Sequence, residues 1–332
     1  MLTQRQLGTT GIGLPPLGLG CMGMSDMYGP TDRAESLATL DAAIEQGLVL
    51  LDTGDFYGMG RNELLLREAF ARYRREDLFI AVKFGPRRAP DGTFLDLDCS
   101  PAAAQSSLAY TLARLGTDYV DLYQPARIDP NVPVEETVGA IKTMQDAGHV
   151  RFIGLSEASA ATLRRAHREA RLAWLQIEYS LLSRHVEADI LPACRELGIT
   201  LNAYGVLCRG LLSDQRQRWR SLTSDDIRAH LPRFQGANLD NNLALVQALD
   251  TIAGERGVTT GQLALAWVLN RDPCVVPLIG ARKRDQLREA LAALEIELTA
   301  DDRARIEAAV PPDAVAGARY DAGQMALLDS ER

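Results

Sequence analysis

The chain has 332 residues, 46% of them hydrophobic and 24% charged, with a net charge of −8. It carries enough apolar material for a large core and the wrong sign of charge for general nucleic-acid or anionic-membrane binding. No apolar run approaches the ~20 residues of a transmembrane helix. Residues 1–11 (MLTQRQLGTTG) lack the apolar segment of a signal peptide, and Cys21, Cys99, Cys194, Cys208 and Cys274 form neither a C-x-x-C pair nor an even framework. A cytoplasmic protein with free thiols is expected.

Short apolar runs alternate with helical patterns from end to end. A short first strand is expected near residues 17–20. Gly18-Leu19-Gly20-Cys21-Met22-Gly23 matches G-x-G-x-x-G literally. Pro15-Pro16 leaves no room for a strand before it, and a turn rather than a helix follows, so it is not a Rossmann fingerprint. Strands are expected at 48–51 and 78–82 around an amphipathic helical segment. A loop rich in Pro, Asp and Gly covers 85–98. Ser100-Pro101 then offers an N-cap with Pro at the first helical position, followed by Ala104, Leu108, Leu112 and Leu115 at helical spacing. Further strands are expected at 119–123, 152–155, 174–177, 199–203 and 275–279. Helices are expected from Pro133 to a stop at Gly148, at 159–170, at 186–197 with Gly198 as the stop, and at 241–256, 260–270, 285–294 and 300–309. A polar insertion fills about 211–240 after the seventh strand. Some eight βα units call for a parallel sheet buried on both faces, and eight in one domain over residues 1–332 give an α/β fold of the (β/α)8 TIM-barrel type.

Two strand exits carry chemistry. Residues 48–51 deliver Asp52, Tyr57 follows on a Gly-flanked loop, and residues 78–82 deliver Lys83. A carboxylate, a phenol and an ammonium at neighbouring barrel-strand ends make a proton-transfer site, in which the cation lowers the phenol pKa from its usual ~10 and the carboxylate compensates the cation. The plainer reading is an ion pair with a loop aromatic beside it, and spacing alone leaves both open. No His/Cys/carboxylate cluster has metal-ligand spacing. A nucleophile elbow and a Walker lysine loop are also missing.

The wider pattern, Asp-Thr-x-Asp-x-Tyr-Gly-x-Gly-x-Asn-Glu from Asp52 to Glu63 and then Ala81-Val82-Lys83-Phe84-Gly85, resembles the aldo-keto reductase family, over nearly the whole chain. That resemblance implies catalytic roles for Asp52, Tyr57 and Lys83. It implies NADPH/NADP+ as cofactor and a small-molecule carbonyl substrate, with a monomer as the default and neither nucleic acid nor membrane as partner. Asp121 to Pro130 departs from the family: in the register of Arg127 and Asp129-Pro130, Ala126 stands where the carbonyl-orienting His is usual. None of His149, His167, His185 and His230 is an obvious replacement. Losing such a donor uncompensated costs on the order of 10²–10³ in rate, and Gln124 or a water is a candidate substitute. The resemblance further implies cofactor contacts at Gly20, Met22 and Asp52, at Ser156 and Gln176 for the nicotinamide carboxamide, and at Tyr204 for stacking on the ring. Gly205, Leu207, Arg209 and Gly210 would hold the pyrophosphate, Arg282 the 2′-phosphate, and Gly280, Gln286 and Glu289 the adenosine. Met24, Tyr28, Phe56, Phe84 and Gln124, on loops at strand exits, are expected to line the substrate pocket. The tail, 311–332, is expected to fold residues 315–320 over the barrel mouth. Two other functions stand beside carbonyl reduction: reduction of a C=C or C=N bond, which needs no such His, and a slow-turnover NADPH-binding regulatory subunit.

Overall fold

In the computed structural model, which describes residues 2–25, 28–213, 219–224 and 226–332, eight strands close into a barrel. They are β1 (Gly18–Gly20), β2 (Leu50–Gly54), β3 (Phe79–Phe84), β4 (Val120–Pro125), β5 (Val150–Ser156), β6 (Leu172–Glu178), β7 (Thr200–Tyr204) and β8 (Val275–Gly280). Every neighbouring pair is parallel, and β8 meets β1 through Leu278↔Gly18 and Gly280↔Gly20 to shut the ring. The return helices run outside, among them Arg33–Glu45, Arg61–Phe70, Pro101–Leu115, Val134–Asp146, Thr260–Leu269 and Arg284–Ala292. Gly18 is a packing requirement, because a Cβ there would lie 2.7–2.9 Å from the Leu50 and Leu278 side chains.

Side chains alternate along each strand, so one run of residues builds two cores. Leu50, Ala81, Leu122, Trp174 and Val276 fill the barrel interior. Leu51, Ile80, Val82, Leu175 and Ile177 face the helices in a second, larger core. Full burial of each large apolar side chain contributes about 1.5–3 kcal/mol. Leu7 and Leu14, from an antiparallel pair formed by Arg5–Gln6 and Gly13–Leu14, join the interior core and stopper the N-terminal end. Thr200 at the start of β7 ties this hairpin down, accepting from Gly8 N at 2.7 Å and donating to Gln6 O at 3.0 Å. With that end closed, only the C-terminal mouth offers a site.

Local signals act as expected at several helix ends. Ser100 accepts from Ala103 N with Pro101 in the first turn, and Gly148 and Gly198 take φ of 85° and 64° as stops. Other expectations need correction. Residues 85–98 are not a plain loop: Pro86–Arg88 pairs antiparallel with Phe94–Leu97, and Arg87 bridges to Asp96 at 2.6 Å. The helix expected at 186–197 divides into a 3-10 turn, His185–Glu187, and a helix, Ile190–Leu197. The helix expected from 241 begins at Gly236, so it takes in the end of the insertion. Residues 214–218 and 225 of that insertion lie outside the described residues. Among the described residues no helix is long and apolar enough to cross a membrane.

Candidate active site

Above the apolar floor, the next inward positions on four strands are polar and bonded to one another. Lys83 Nζ donates to Asp52 Oδ1 at 2.5 Å, and both side chains are buried. Gln176 Nε2 donates to Asp52 Oδ2 at 2.8 Å and to Asn202 Oδ1 at 2.9 Å. A buried ion pair persists only when its remaining lone pairs are satisfied, and here the Gln176 amide satisfies Asp52. These four groups come together because β2, β3, β6 and β7 each place an inward residue at that height.

Tyr57 reaches the same place from a 3-10 turn, Tyr57–Gly60, in which Gly58, Met59 and Gly60 take φ of 54°, 54° and 88°. Asn62 fastens this turn. It accepts from Thr53 Oγ1 at 2.6 Å and donates to Cys21 O and Ser25 Oγ, both at 2.8 Å. The Asn of the sequence pattern therefore locks the Tyr57 loop to β2 and to the segment after β1. Lys83 Nζ lies 5.1 Å from the centre of the Tyr57 ring. Its hydrogen bond goes to Asp52 and not to the phenol oxygen. Burial first, and Asp52 second, hold the Tyr57 phenol well above its ordinary value, with Arg127 acting in the opposite sense. The expected lowering of the phenol pKa is thus corrected in its net sign: burial and Asp52 outweigh the neighbouring cations. Burial also lowers the Lys83 ammonium, opposed by Asp52.

Asp52, Tyr57 and Lys83 line a cleft of about 410 Å³ at the barrel mouth. Gly20, Met22, Ser156, Gln176, Tyr204 and Gly205 border it near this group, and Leu207, Arg209 and Gly210 continue the wall. Gly280, Arg282, Gln286 and Glu289 line its far end. Of the five residues expected in the substrate pocket, Tyr28 and Phe56 line the cleft and three do not. Phe84 points out of the barrel and stacks on Tyr123, ring centres 4.6 Å apart, because Lys83 beside it points in. Met24 is buried in the outer core. Gln124 is fully buried, with its Oε1 accepting from Trp174 Nε1 at 2.8 Å. It does not reach the cleft and cannot stand in for the missing His. Ala126 does line the cleft, and none of the four histidines does.

The tail wall is built on Glu157. Glu157, after β5, takes φ 53°, a region that favours Asn or Gly over Glu. Its carboxylate accepts from Arg319 Nη2 at 2.9 Å, Ser330 Oγ at 2.6 Å, Tyr204 OH at 2.8 Å and Glu178 N at 3.0 Å. Burial would raise its pKa, but the charge and hydrogen bond of Arg319, the Arg127 charge and the Ser330 hydroxyl together outweigh burial and hold it well below the usual carboxylate range. Arg319 also reaches Glu331 at 2.7 Å. These bonds pin the tail so that Tyr320 lines the cleft, its hydroxyl 2.8 Å from Tyr204 OH. Trp219, Ile227 and Arg228 of the insertion also line it, and Tyr28 bridges to Asp226 across the opening. No motif marks these residues. Only the polarity of the insertion hinted at a surface role.

The cleft fits a dinucleotide. Among the described residues, Lys83, Arg127, Arg209, Arg228 and Arg282 line it against two acids, Asp52 and Glu289, a local excess of cations in a protein of net charge −8. Gly205, Cys208, Arg209 and Gly210 all take positive φ, from 46° to 94°. Such a run is costly for the two non-glycines, which places it among the strained backbone segments found at ligand sites. At the far end, Gln286 Oε1 accepts from Arg282 N at 2.9 Å, and Arg282 Nη1 donates to Tyr28 O at 3.0 Å. Arg284 is bound by Glu35, which also accepts from Arg284 N at 3.0 Å.

A parallel barrel with a buried Lys–Asp pair and a phenol at its mouth is the frame of a hydride-transfer enzyme acting at a carbonyl. The model of the Aldo/keto reductase family matches residues 16–311. A probable aldo-keto reductase 1 of Glycine max is 40% identical over 318 residues, covering 95% of this chain and 91% of that protein. A glycerol dehydrogenase of Gluconobacter oxydans superposes with TM-score 0.85 at 27% identity, over 93% of this chain and 96% of that one. An aldo-keto reductase of Bacillus halodurans, in its holo form, gives 0.78 at 28% identity over 94% and 97%. The chain belongs to the aldo/keto reductase family, oxidoreductases of carbonyl groups.

Proposed function

We propose that the protein reduces an aldehyde or ketone to the alcohol with NADPH, and that Tyr57 protonates the nascent alkoxide. The observation that supports this best is the placing of the Tyr57 phenol in the same cleft as the buried Lys83–Asp52 pair, its ring centre 5.1 Å from Lys83 Nζ. A general acid must lie within reach of the oxygen that develops charge, and the 3-10 turn that carries Tyr57 delivers it to the cleft. Lys83, fixed by Asp52, then stabilises the phenolate left behind. NADPH bound in the cleft supplies the hydride. Ser156 and the Gln176 Oε1 would hold the nicotinamide carboxamide, since both Gln176 amide hydrogens are committed to Asp52 and Asn202. Tyr204 would support the ring, and Gly205, Leu207, Arg209 and Gly210 the pyrophosphate. Arg282 would hold the 2′-phosphate, with Gly280, Gln286 and Glu289 about the adenosine. We take the substrate to be a small molecule and the working unit to be a monomer.

The test is NADPH oxidation followed by absorbance with a panel of aldehydes, ketones, enones and cyclic imines, for wild type and Tyr57→Phe. Turnover of carbonyls that falls about 10²–10⁴-fold in the variant is expected. Equal rates for the two proteins would remove Tyr57 as the acid. Turnover of enones or imines alone would instead favour C=C or C=N reduction.

A further inference from the structure

Four arginines outside the adenosine end lie in or beside the cleft, and three of them are neutralised by carboxylates. Arg209 pairs with Glu178 at 3.4 Å, Arg228 with Asp226 at 2.5 Å and Arg319 with Glu157 at 2.9 Å. Arg127 is the exception. It lines the cleft directly after Ala126, yet no carboxylate among the described residues pairs with it. Its two hydrogen bonds are to neutral oxygens: Nη1 donates to Ala126 O at 2.7 Å and Nη2 to Tyr320 OH at 3.3 Å. A guanidinium has five N–H donors, so these two bonds leave part of its donor capacity unused at the cleft wall. The carboxylate whose charge acts on it, Glu157, is bonded instead by Arg319, and a guanidinium with spare donors at a desolvated cleft wall is poised for an anionic ligand.

Its position says which part of a ligand it would meet. Arg127 is close enough for its charge to act on both Tyr57 and Lys83. The cation–π contact with Tyr320, at 5.5 Å, and the bond to that residue's hydroxyl hold the guanidinium plane in place. Ala126 keeps the space beside it open. An arginine held this way suits bidentate capture of a carboxylate, with the neighbouring carbonyl delivered to Tyr57.

Resting on the carbonyl-reductase reading above, we propose that Arg127 is the docking point for a substrate carboxylate and that the preferred substrates are 2-oxo acids. The carbonyl carbon gains a hydride from the nicotinamide cofactor, which is oxidised, the oxygen gains the Tyr57 proton, and the product is the 2-hydroxy acid. Orientation by the carboxylate then replaces part of what a carbonyl-orienting His does elsewhere.

The experiment compares kcat/KM for phenylglyoxylate and its methyl ester in wild type, Arg127→Lys and Arg127→Met. In wild type the acid is expected to exceed the ester, and the acid-to-ester ratio is expected to fall about 10–100-fold in Arg127→Met, with partial recovery in Arg127→Lys. An ester used as well as the acid by wild type, or a ratio unmoved in Arg127→Met, overturns the proposal. Calorimetric titration of phenylacetate and phenylacetamide into the NADP⁺-loaded protein separates this from failure of the reductase reading. Carboxylate binding that is lost in Arg127→Met and not shared by the amide supports the anion site even if no carbonyl turns over. Equal binding of acid and amide, or acid binding indifferent to Arg127→Met, overturns it.

Discussion

Replacing Arg319 by methionine keeps most of the side-chain volume and removes the charge that closes the tail over the barrel mouth. Glu157 would stay fully buried, still accepting from Ser330, Tyr204 and Glu178 N but without a formal counter-charge at bonding distance. Glu178 would lose the Arg319 contact at 3.4 Å and keep Arg209 and Arg233. Breaking a buried pair by removing one partner costs on the order of 3–5 kcal/mol. The φ of 53° at Glu157 adds strain of order 1 kcal/mol or more that the ion pair no longer offsets. The cost falls first on residues 317–332, because Arg319 and Ser330 join that segment to Glu157 and Glu178 of the barrel. Hydrogen exchange read by mass spectrometry should show the tail and the turn after β5 opening far more often in Arg319→Met, while β2 and β3 keep wild-type protection. The double variant Glu157→Gln/Arg319→Met removes both charges together and should recover much of the loss. Tail protection equal to wild type in Arg319→Met, or a double variant worse than the sum of the two singles, would refute the reasoning.

Two further outcomes are expected. Glu35→Gln frees the Arg284 guanidinium and the first N–H of helix Arg284–Ala292, both now bound by Glu35. KM for NADPH should fall about 2–5-fold, the scale of an exposed ion pair, with that for NADH moving less; equal shifts for both cofactors would show that the 2′-phosphate does not lie there. Asp55 is held at about 7 instead of 3.8, chiefly by burial and next by Glu63. Its folded pKa is above the unfolded one, so the folded state binds the extra proton and stability declines as pH rises from about 4 to 7. Asp55→Asn should therefore raise the free energy of unfolding relative to wild type at pH 8, by up to about 4 kcal/mol, and the gain should shrink toward pH 5. A gain of the same size at both pH values would mean that the carboxyl does not titrate in this window.

Much of the barrel was legible because one physical rule writes it into short segments. A parallel strand covered on both faces is a run of apolar residues, and a polar residue closing such a run, as Asp52 and Lys83 do, sits where the mouth opens. The same rule of alternation excludes Phe84, since adjacent residues on a strand face opposite ways. Gln124 is different. It faces inward like Lys83, its register partner, and only the side chains that close over it decide that it is buried against Trp174 and not open to the cleft. The short pieces gave little signal: Arg5–Gln6, Gly13–Leu14 and Pro86–Arg88 are two or three residues long, too few for a period to show.

The chain's sequence by itself determines the alternation of strands and helices, the strand exits that carry Asp52, Tyr57 and Lys83, and the glycines that allow the turns between them. These depend on propensity and periodicity over a few neighbouring residues. What the tertiary structure alone decides is how charges are shared across the mouth. Glu157 finds Arg319 at a separation of 162 residues, and Tyr320 comes to rest on Tyr204, 116 residues away. Among the described residues Arg127 is left without a paired acid because Glu157 is claimed by Arg319 and Asp52 by Lys83. Pairing of that kind is a contest among groups brought together by the closed barrel, and it has no signature in the local sequence of any one of them.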